Sequence, residues 1–225
     1  MSVLSSFMSG DFAGAFLKLG VTAFVVICLL PIHEFAHAFV AYKLGDQTAR
    51  LSGRLTINPF AHIDLWGALM IVLVGFGYAR AVPVNMRNFK NPKAGMALVA
   101  LAGPVSNFLM SVVFIFLSAL TLRFLDYNST LGNAIFTFVS YAAIVNINLA
   151  IFNFLPIPPL DGSRIISVIL PDRIYYKIMQ YERYILIGLF LLMVLPATDF
   201  IWSGLSSLSY AIYEGLLRLM LAPMM

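Results

Sequence analysis

An all-α polytopic membrane protein is the fold this chain predicts, with about five to six membrane helices and short strand-like segments near the cytoplasmic surface. Three observations predict it. Of its 225 residues 61% are hydrophobic and only 11% charged, where a soluble domain carries about 25% charged residues. The mean hydropathy is +0.92. The apolar residues also come in long runs without charge, and a backbone in lipid must satisfy its own hydrogen bonds, so such runs are helical. This composition excludes a soluble globular enzyme, a disordered chain and a coiled coil.

The first run covers about residues 12–44, with Lys18 near one end and Lys43 at the other. It lacks a basic leader and a small-residue cleavage site, so it reads as a mature membrane segment. The next, 65–79, has 15 residues including Gly75 and Gly77. It is short for a straight span of about 20 residues and reads as re-entrant or as a short span. Residues 94–122 carry no charge, and neither do 127–160, which start as a loop and become helical near Gly132. Residues 184–198 and 200–221 form two spans or a hairpin about Pro196. The core helices are thus expected at about 12–44, 94–122 and 132–155, with C-terminal helices over about 173–221, in one membrane-embedded domain spanning 1–225. Two segments, 50–57 and 78–84, alternate polar and apolar residues and read as short strands, although Pro83 suits only an edge.

The net charge is +4. Eleven of the fourteen Lys and Arg fall in two places: Lys43, Arg50, Arg54, Arg80, Arg87, Lys90 and Lys93, and then Arg164, Arg173, Lys177 and Arg183. They are not clustered as a nucleic-acid patch would be, and no nucleic-acid partner is expected. Basic loops stay on the cytoplasmic side, so both segments are expected there, in a multi-pass protein of the cell membrane. The single cysteine, Cys28, permits no intrachain disulfide and no cysteine zinc cage. It reads as a packing residue.

Chemistry concentrates in the first helix, at His33-Glu34-Phe35-Ala36-His37. Positions four apart share a helix face, so two neutral imidazoles can bind one Zn²⁺, with Glu34 beside them as general base. The bare pattern is weak. Its place deep in an apolar run strengthens it, because ionisable groups there are costly and mark function. The bland alternative is a polar trio bonded between helices. A zinc site needs a third protein ligand. His62 is one candidate; Asp161 is better placed. It ends the run Asn153-Phe154-Leu155-Pro156-Ile157-Pro158-Pro159-Leu160-Asp161-Gly162, whose prolines force the backbone to unwind. Its depth, at the cytoplasmic end of a helix, matches that of His33 and His37. Asp161 could instead be an ordinary turn or cap residue, and His62 with Asp64 a surface turn. Asn107, Asn146 and Asn148 either serve the site or hydrogen-bond between helices.

His33-Glu34-x-x-His37, a distant Pro-Pro-Leu-Asp161-Gly and the segment Gly103-Pro104-Val105-Ser106-Asn107 together resemble the site-2 protease family of intramembrane zinc metalloproteases. The likeness extends over about residues 12–195. It implies one Zn²⁺ per chain held by His33, His37 and Asp161, with Glu34 as catalytic acid and base. It implies that Asn153 contacts substrate or a developing oxyanion; Asn107, in the third matching segment, is a further candidate substrate contact. It further implies a membrane-spanning protein as substrate, with the strand-like segments pairing to it in extended form. Many members carry a PDZ or CBS domain, for which 225 residues leave no room. The oligomeric state is left open. A different class of function, metal-ion or proton transport, also uses histidines and carboxylates in membrane helices. Repeated halves would mark it, and this sequence has none.

Overall fold

The computed structural model describes residues 7–74, 79–194 and 199–224, and its regular elements are all helical. Helix α1, Phe12–Lys43, starts where the Asp11 carboxylate accepts the Gly14 N–H at 2.9 Å, a common N-cap. It widens into a π turn over Val25–Leu29, where the Leu30 N–H reaches the Val25 carbonyl. Pro31 explains the place: it has no N–H and its ring crowds the preceding turn, which a wider turn relieves. The extra residue rotates everything downstream by about 100°. His33, Glu34, His37, Ala38 and Ala41 then face inward.

A lobe of short elements follows: α2 (Thr48–Leu51), α3 (Pro59–His62) and α4 (Leu65–Val74). Here the strand expectation fails. Residues 48–51 wind into a helical turn, and Gly53, at φ +70°, reverses the chain before Arg54. Residues 79–85 form no regular element, and no strand occurs among the described residues. Alternation of side chains gives a strand only if a second backbone lies alongside; instead the Arg54 side chain and the His62 carbonyl take the polar groups of this segment. Gly75 and Gly77 lie outside the described residues.

Helix α5, Pro92–Phe124, is capped by Asn91 and opened by Pro92. Helix α6, Thr130–Phe154, is capped by the Ser129 hydroxyl, which accepts from Gly132 at 3.0 Å. Both helices bury small residues, Ala100, Ser111, Ser118 and Ala119 on α5 and Ala142, Ala143 and Ala150 on α6, and the Ser140 hydroxyl donates across to Ser118 at 3.3 Å. In lipid, helices associate through such close contact rather than through a hydrophobic driving force. Their core joins Val21, Val25 and Leu29 of α1 with Phe114, Ile115, Val139, Ile144 and Ile147. After α6 come α7 (Asp161–Ile165), α8 (Asp172–Met179), α9 (Glu182–Val194) and α10 (Asp199–Leu221). Helix α10 closes the core through Tyr213, whose hydroxyl lies 2.6 Å from Ser140, and through Ser209, which donates to Asn148 at 2.7 Å. Asn148 is therefore an interhelical link, and Asn146 donates back to the Ala142 carbonyl.

Among the described residues three helices, not five to six, are long and apolar enough to cross a membrane: Phe12–Lys43, Pro92–Phe124 and Thr130–Phe154. Helices α4 and α9, of 10 and 13 residues, fall short of the roughly 20 a span requires. Helix α10 has the length, but Ser203, Ser206, Ser207, Ser209, Glu214 and Arg218 make it too polar.

Asp46 holds the end of α1 to the following lobe and the α5 approach. Its carboxylate, fully buried, accepts from the Thr48 N–H and hydroxyl, the Asn85 N–H at 2.7 Å and the Asn88 amide at 2.6 Å. Burial alone would raise its pKa; these hydrogen bonds outweigh it and hold the carboxyl below the usual range. A lowered folded-state pKa stabilises the fold above the unfolded value of about 3.9, and that contribution is lost as pH falls through the folded value. Asp46→Ala is expected to destabilise the protein by about 1–3 kcal/mol at pH 7. The difference from the parent should shrink below about pH 4. Thermal unfolding in detergent across that pH range checks it; a constant difference would show that protonation is irrelevant.

Candidate metal centre

The inward face of α1 presents the two imidazoles edge to face, their centroids 4.7 Å apart. Asp161 reaches them because α6 ends before Pro156 and the chain turns back through 155–160 to begin α7. Gly162 permits the return: a Cβ there would collide with the carbonyls of Phe154 and Leu155. Nε2 of His33 and Nε2 of His37 lie 3.1 Å apart, and Oδ2 of Asp161 lies 3.4 Å from the first and 3.3 Å from the second. These three are the residues whose ligand atoms converge.

The donor set fits zinc on three counts. Ligand atoms about 2.0–2.2 Å from a tetrahedral Zn²⁺ stand roughly 3.3–3.6 Å from one another, close to the three separations seen. Nδ1 of His37 lies 2.7 Å from the Val99 carbonyl, so that nitrogen carries the proton and Nε2 faces the others as a lone pair, the usual second contact of a metal-bound histidine. Oδ2 of Asp161 and Nδ1 of His33 are buried without a hydrogen-bond partner, and buried polar atoms are ordinarily satisfied. A cation between the donors satisfies the carboxylate and removes the repulsion between facing lone pairs. Burial alone would raise the Asp161 carboxyl; the two imidazoles outweigh it and hold it below the ordinary range, as a ligating carboxylate requires.

Glu34 is buried beside the triad, and its Oε2 accepts the Val82 N–H at 3.1 Å. The other expected residues divide. Asn107 is buried on α5, one turn beyond Gly103, with its amide nitrogen unpartnered. Asn153 donates to the Leu149 carbonyl of its own helix at 3.0 Å. His62 is not a surface residue: it is 1% exposed, and its Nε2 donates to the Thr56 carbonyl at 2.7 Å, so it stands apart from the triad. Asp64 caps α4 through the Gly67 N–H at 3.0 Å.

Three contributors escaped the sequence reading: Val99, whose carbonyl orients His37; Val82, whose N–H holds Glu34; and Gly103. A Cβ at 103 would collide with both imidazoles, so α5 can seat against the ligands only with glycine there. Main-chain partners such as Val82 and Val99 leave no trace in residue type. Gly103 did have a signal, as the first residue of Gly-Pro-Val-Ser-Asn.

Asp161→Ala is expected to lower zinc affinity at least about 100-fold, since it removes a ligand outright. His62→Ala should keep full zinc occupancy. Elemental analysis of the purified variants separates the two, and the reverse pattern would reassign the third ligand.

The comparisons with known proteins agree with this centre. Peptidase family M50 matches residues 21–124 and 121–195. Relatives that bear the name "Putative zinc metalloprotease" include the next two. YwhC of Bacillus subtilis is 40% identical over 194 residues, covering 84% of this chain and 89% of that protein. Rip2 of Mycobacterium tuberculosis is 30% identical over 193 residues, covering 84% and 71%. A zinc metalloprotease of Methanocaldococcus jannaschii is 27% identical over 145 residues, 64% of this chain and 33% of that protein. No solved structure matches significantly. With a family match over most of its length and a zinc-ready triad between apolar helices, the chain belongs to peptidase family M50, the site-2 protease family, and is a membrane zinc metalloprotease.

Proposed function

We propose that this metalloprotease hydrolyses peptide bonds within membrane-spanning substrates, in regulated intramembrane proteolysis or in the clearance of signal-peptide remnants. The observation that carries the reading is the position of the His33–His37–Asp161 triad. Two of its members, His33 and His37, are buried on a helix long and apolar enough to span a bilayer, which brings the centre to a substrate that is itself in the membrane. The concentration of Lys and Arg in two segments supports a centre that opens toward the cytoplasm in the cell membrane.

His33, His37 and Asp161 hold the metal, which when bound supplies Lewis acidity toward a carbonyl and a water molecule. Glu34 receives the proton of the attacking water and passes it to the leaving amine. The Val82 N–H keeps its carboxylate in place in both steps. Val99, through its carbonyl, fixes the His37 ring and its tautomer. Asn107 brings a buried amide with no partner of its own, suited to donating to a substrate carbonyl or to the developing oxyanion. Asn153 could do the same only by giving up its bond to Leu149. A substrate helix has to unwind first, since its peptide groups are already hydrogen-bonded and sheathed by side chains.

The test is a labelled single-span peptide in vesicles with the purified enzyme. Cleavage should occur inside the spanning segment, stop when a chelator removes zinc, and return with zinc. Cleavage confined to soluble peptides would overturn the intramembrane reading. Zinc flux without any cleavage would favour transport.

A further inference from the structure

Arg54 is a cation with an unusual setting. It is 9% exposed, and among the described residues no carboxylate forms an ion pair with it. Gly53, at φ +70°, turns the chain, and the Arg54 N–H closes the turn on the Ala49 carbonyl at 2.8 Å. One guanidinium nitrogen then donates to two main-chain carbonyls, those of Ala61 and Arg80. Burial and the Arg80 charge both lower its pKa, and the charge of Glu34 opposes them. An arginine this buried needs a reason, because a charged group taken out of water without an ionic partner is costly.

The reason is visible at Arg80, one of the two residues whose carbonyls it holds. The Arg80 N–H donates to the His62 carbonyl at 2.8 Å, and the Arg80 carbonyl takes the Arg54 guanidinium at 3.2 Å. The peptide groups on both sides of Arg80 are thereby fixed. The next N–H but one, that of Val82, donates to Oε2 of Glu34. Residues 79–85 belong to no helix or strand, so these contacts are what place the segment against the site.

We propose that Arg54 is a positioning residue for Glu34: by gripping the Arg80 carbonyl it places the Val82 N–H that holds the Glu34 carboxylate. The role rests on the reading of Glu34 as acid and base. It touches neither ligand nor substrate, and it makes the lobe between α1 and α5 part of the catalytic apparatus. A carboxylate that swings free of its donor spends less time in the geometry that proton transfer requires, so the loss falls on turnover rather than on substrate binding.

The test compares the parent with R54M, R54K, V82P and the double variant R54M/V82P, using the full chain and the single-span peptide. R54M is expected to lower kcat about tenfold or more, with KM within about twofold and zinc content unchanged. R54K, which keeps a charged donor, should recover to within about threefold of the parent. V82P removes the N–H itself at a position that the following Pro83 already biases toward extended backbone, so it should lower kcat similarly. The double variant should be no worse than the poorer single variant, because both act through one contact. The role is overturned if R54M keeps kcat within about twofold, if it loses zinc together with activity, if R54K recovers nothing, or if the two losses multiply. The proteolytic reading fails separately, and takes this role with it, if E34Q cleaves the peptide as well as the parent does.

Discussion

Glu34→Gln is expected to abolish peptide hydrolysis, by about a thousandfold or more, and to leave zinc bound at one ion per chain. The substitution is nearly isosteric. The amide oxygen of glutamine can still accept the Val82 N–H, so the side chain has the same anchor. The ligand atoms belong to His33, His37 and Asp161 and are untouched. What disappears is basicity: a neutral amide cannot take a proton from water or deliver one to the departing amine. Loss of turnover with metal retained therefore isolates proton transfer from metal binding. Mass spectrometry of the peptide products and elemental analysis of the same preparation supply both readouts. A variant that cleaves normally would remove Glu34 from the chemistry. A variant that loses zinc would make it a structural residue of the centre.

The convergent His33, His37 and Asp161 were legible in the sequence because their surroundings make them stand out. A histidine pair at helical spacing, an acid between them and a distant aspartate after prolines are each conspicuous in a chain with so few charges. The long helices were legible for the same reason: uncharged runs admit one backbone solution in lipid. The lobe between α1 and α5 was not. Its alternating residues at 50–57 and 78–84 satisfied the period of a strand, but period does not reveal whether a second strand is present. Gly53 and the Arg54 side chain decided against one, by turning one segment and fastening the other through its carbonyl. His62 misled for a related reason. A polar residue just after an Asn-Pro turn signal reads as surface, yet here its ring is buried against the Thr56 carbonyl. Asp46 passed unnoticed because an acid after a glycine is ordinary turn chemistry, and only the folded chain brings Asn85 and Asn88 to it.

Gly103→Ala is expected to empty the metal centre, a large effect from one methyl group. A Cβ at this position would sit within van der Waals overlap of both His33 and His37. Neither imidazole can yield cheaply. His37 is tied through Nδ1 to Val99, on the same helix as Gly103 and one turn before it, so the ring cannot swing away without breaking that bond. His33 is packed edge to face on His37. Helix α5 could retreat instead, but it shares a buried core with α6 through Phe114, Ile115, Val139, Ile144 and Ile147. Either movement widens donor separations now at 3.1–3.4 Å, and zinc tolerates ligand distances only within about 0.2 Å. Affinity should fall at least about 100-fold, and activity with it. Helix propensity runs the other way: alanine in place of a helical glycine is intrinsically favourable by about 1 kcal/mol. Helical content should therefore hold while zinc is lost. Gly188→Ala is the matched control, since a Cβ there meets nothing within 4 Å, and it should leave both zinc and cleavage intact. Circular dichroism, elemental analysis and the peptide assay on the two variants complete the comparison. A G103A protein with full zinc and normal cleavage would show that α5 does not seat against the ligands as described.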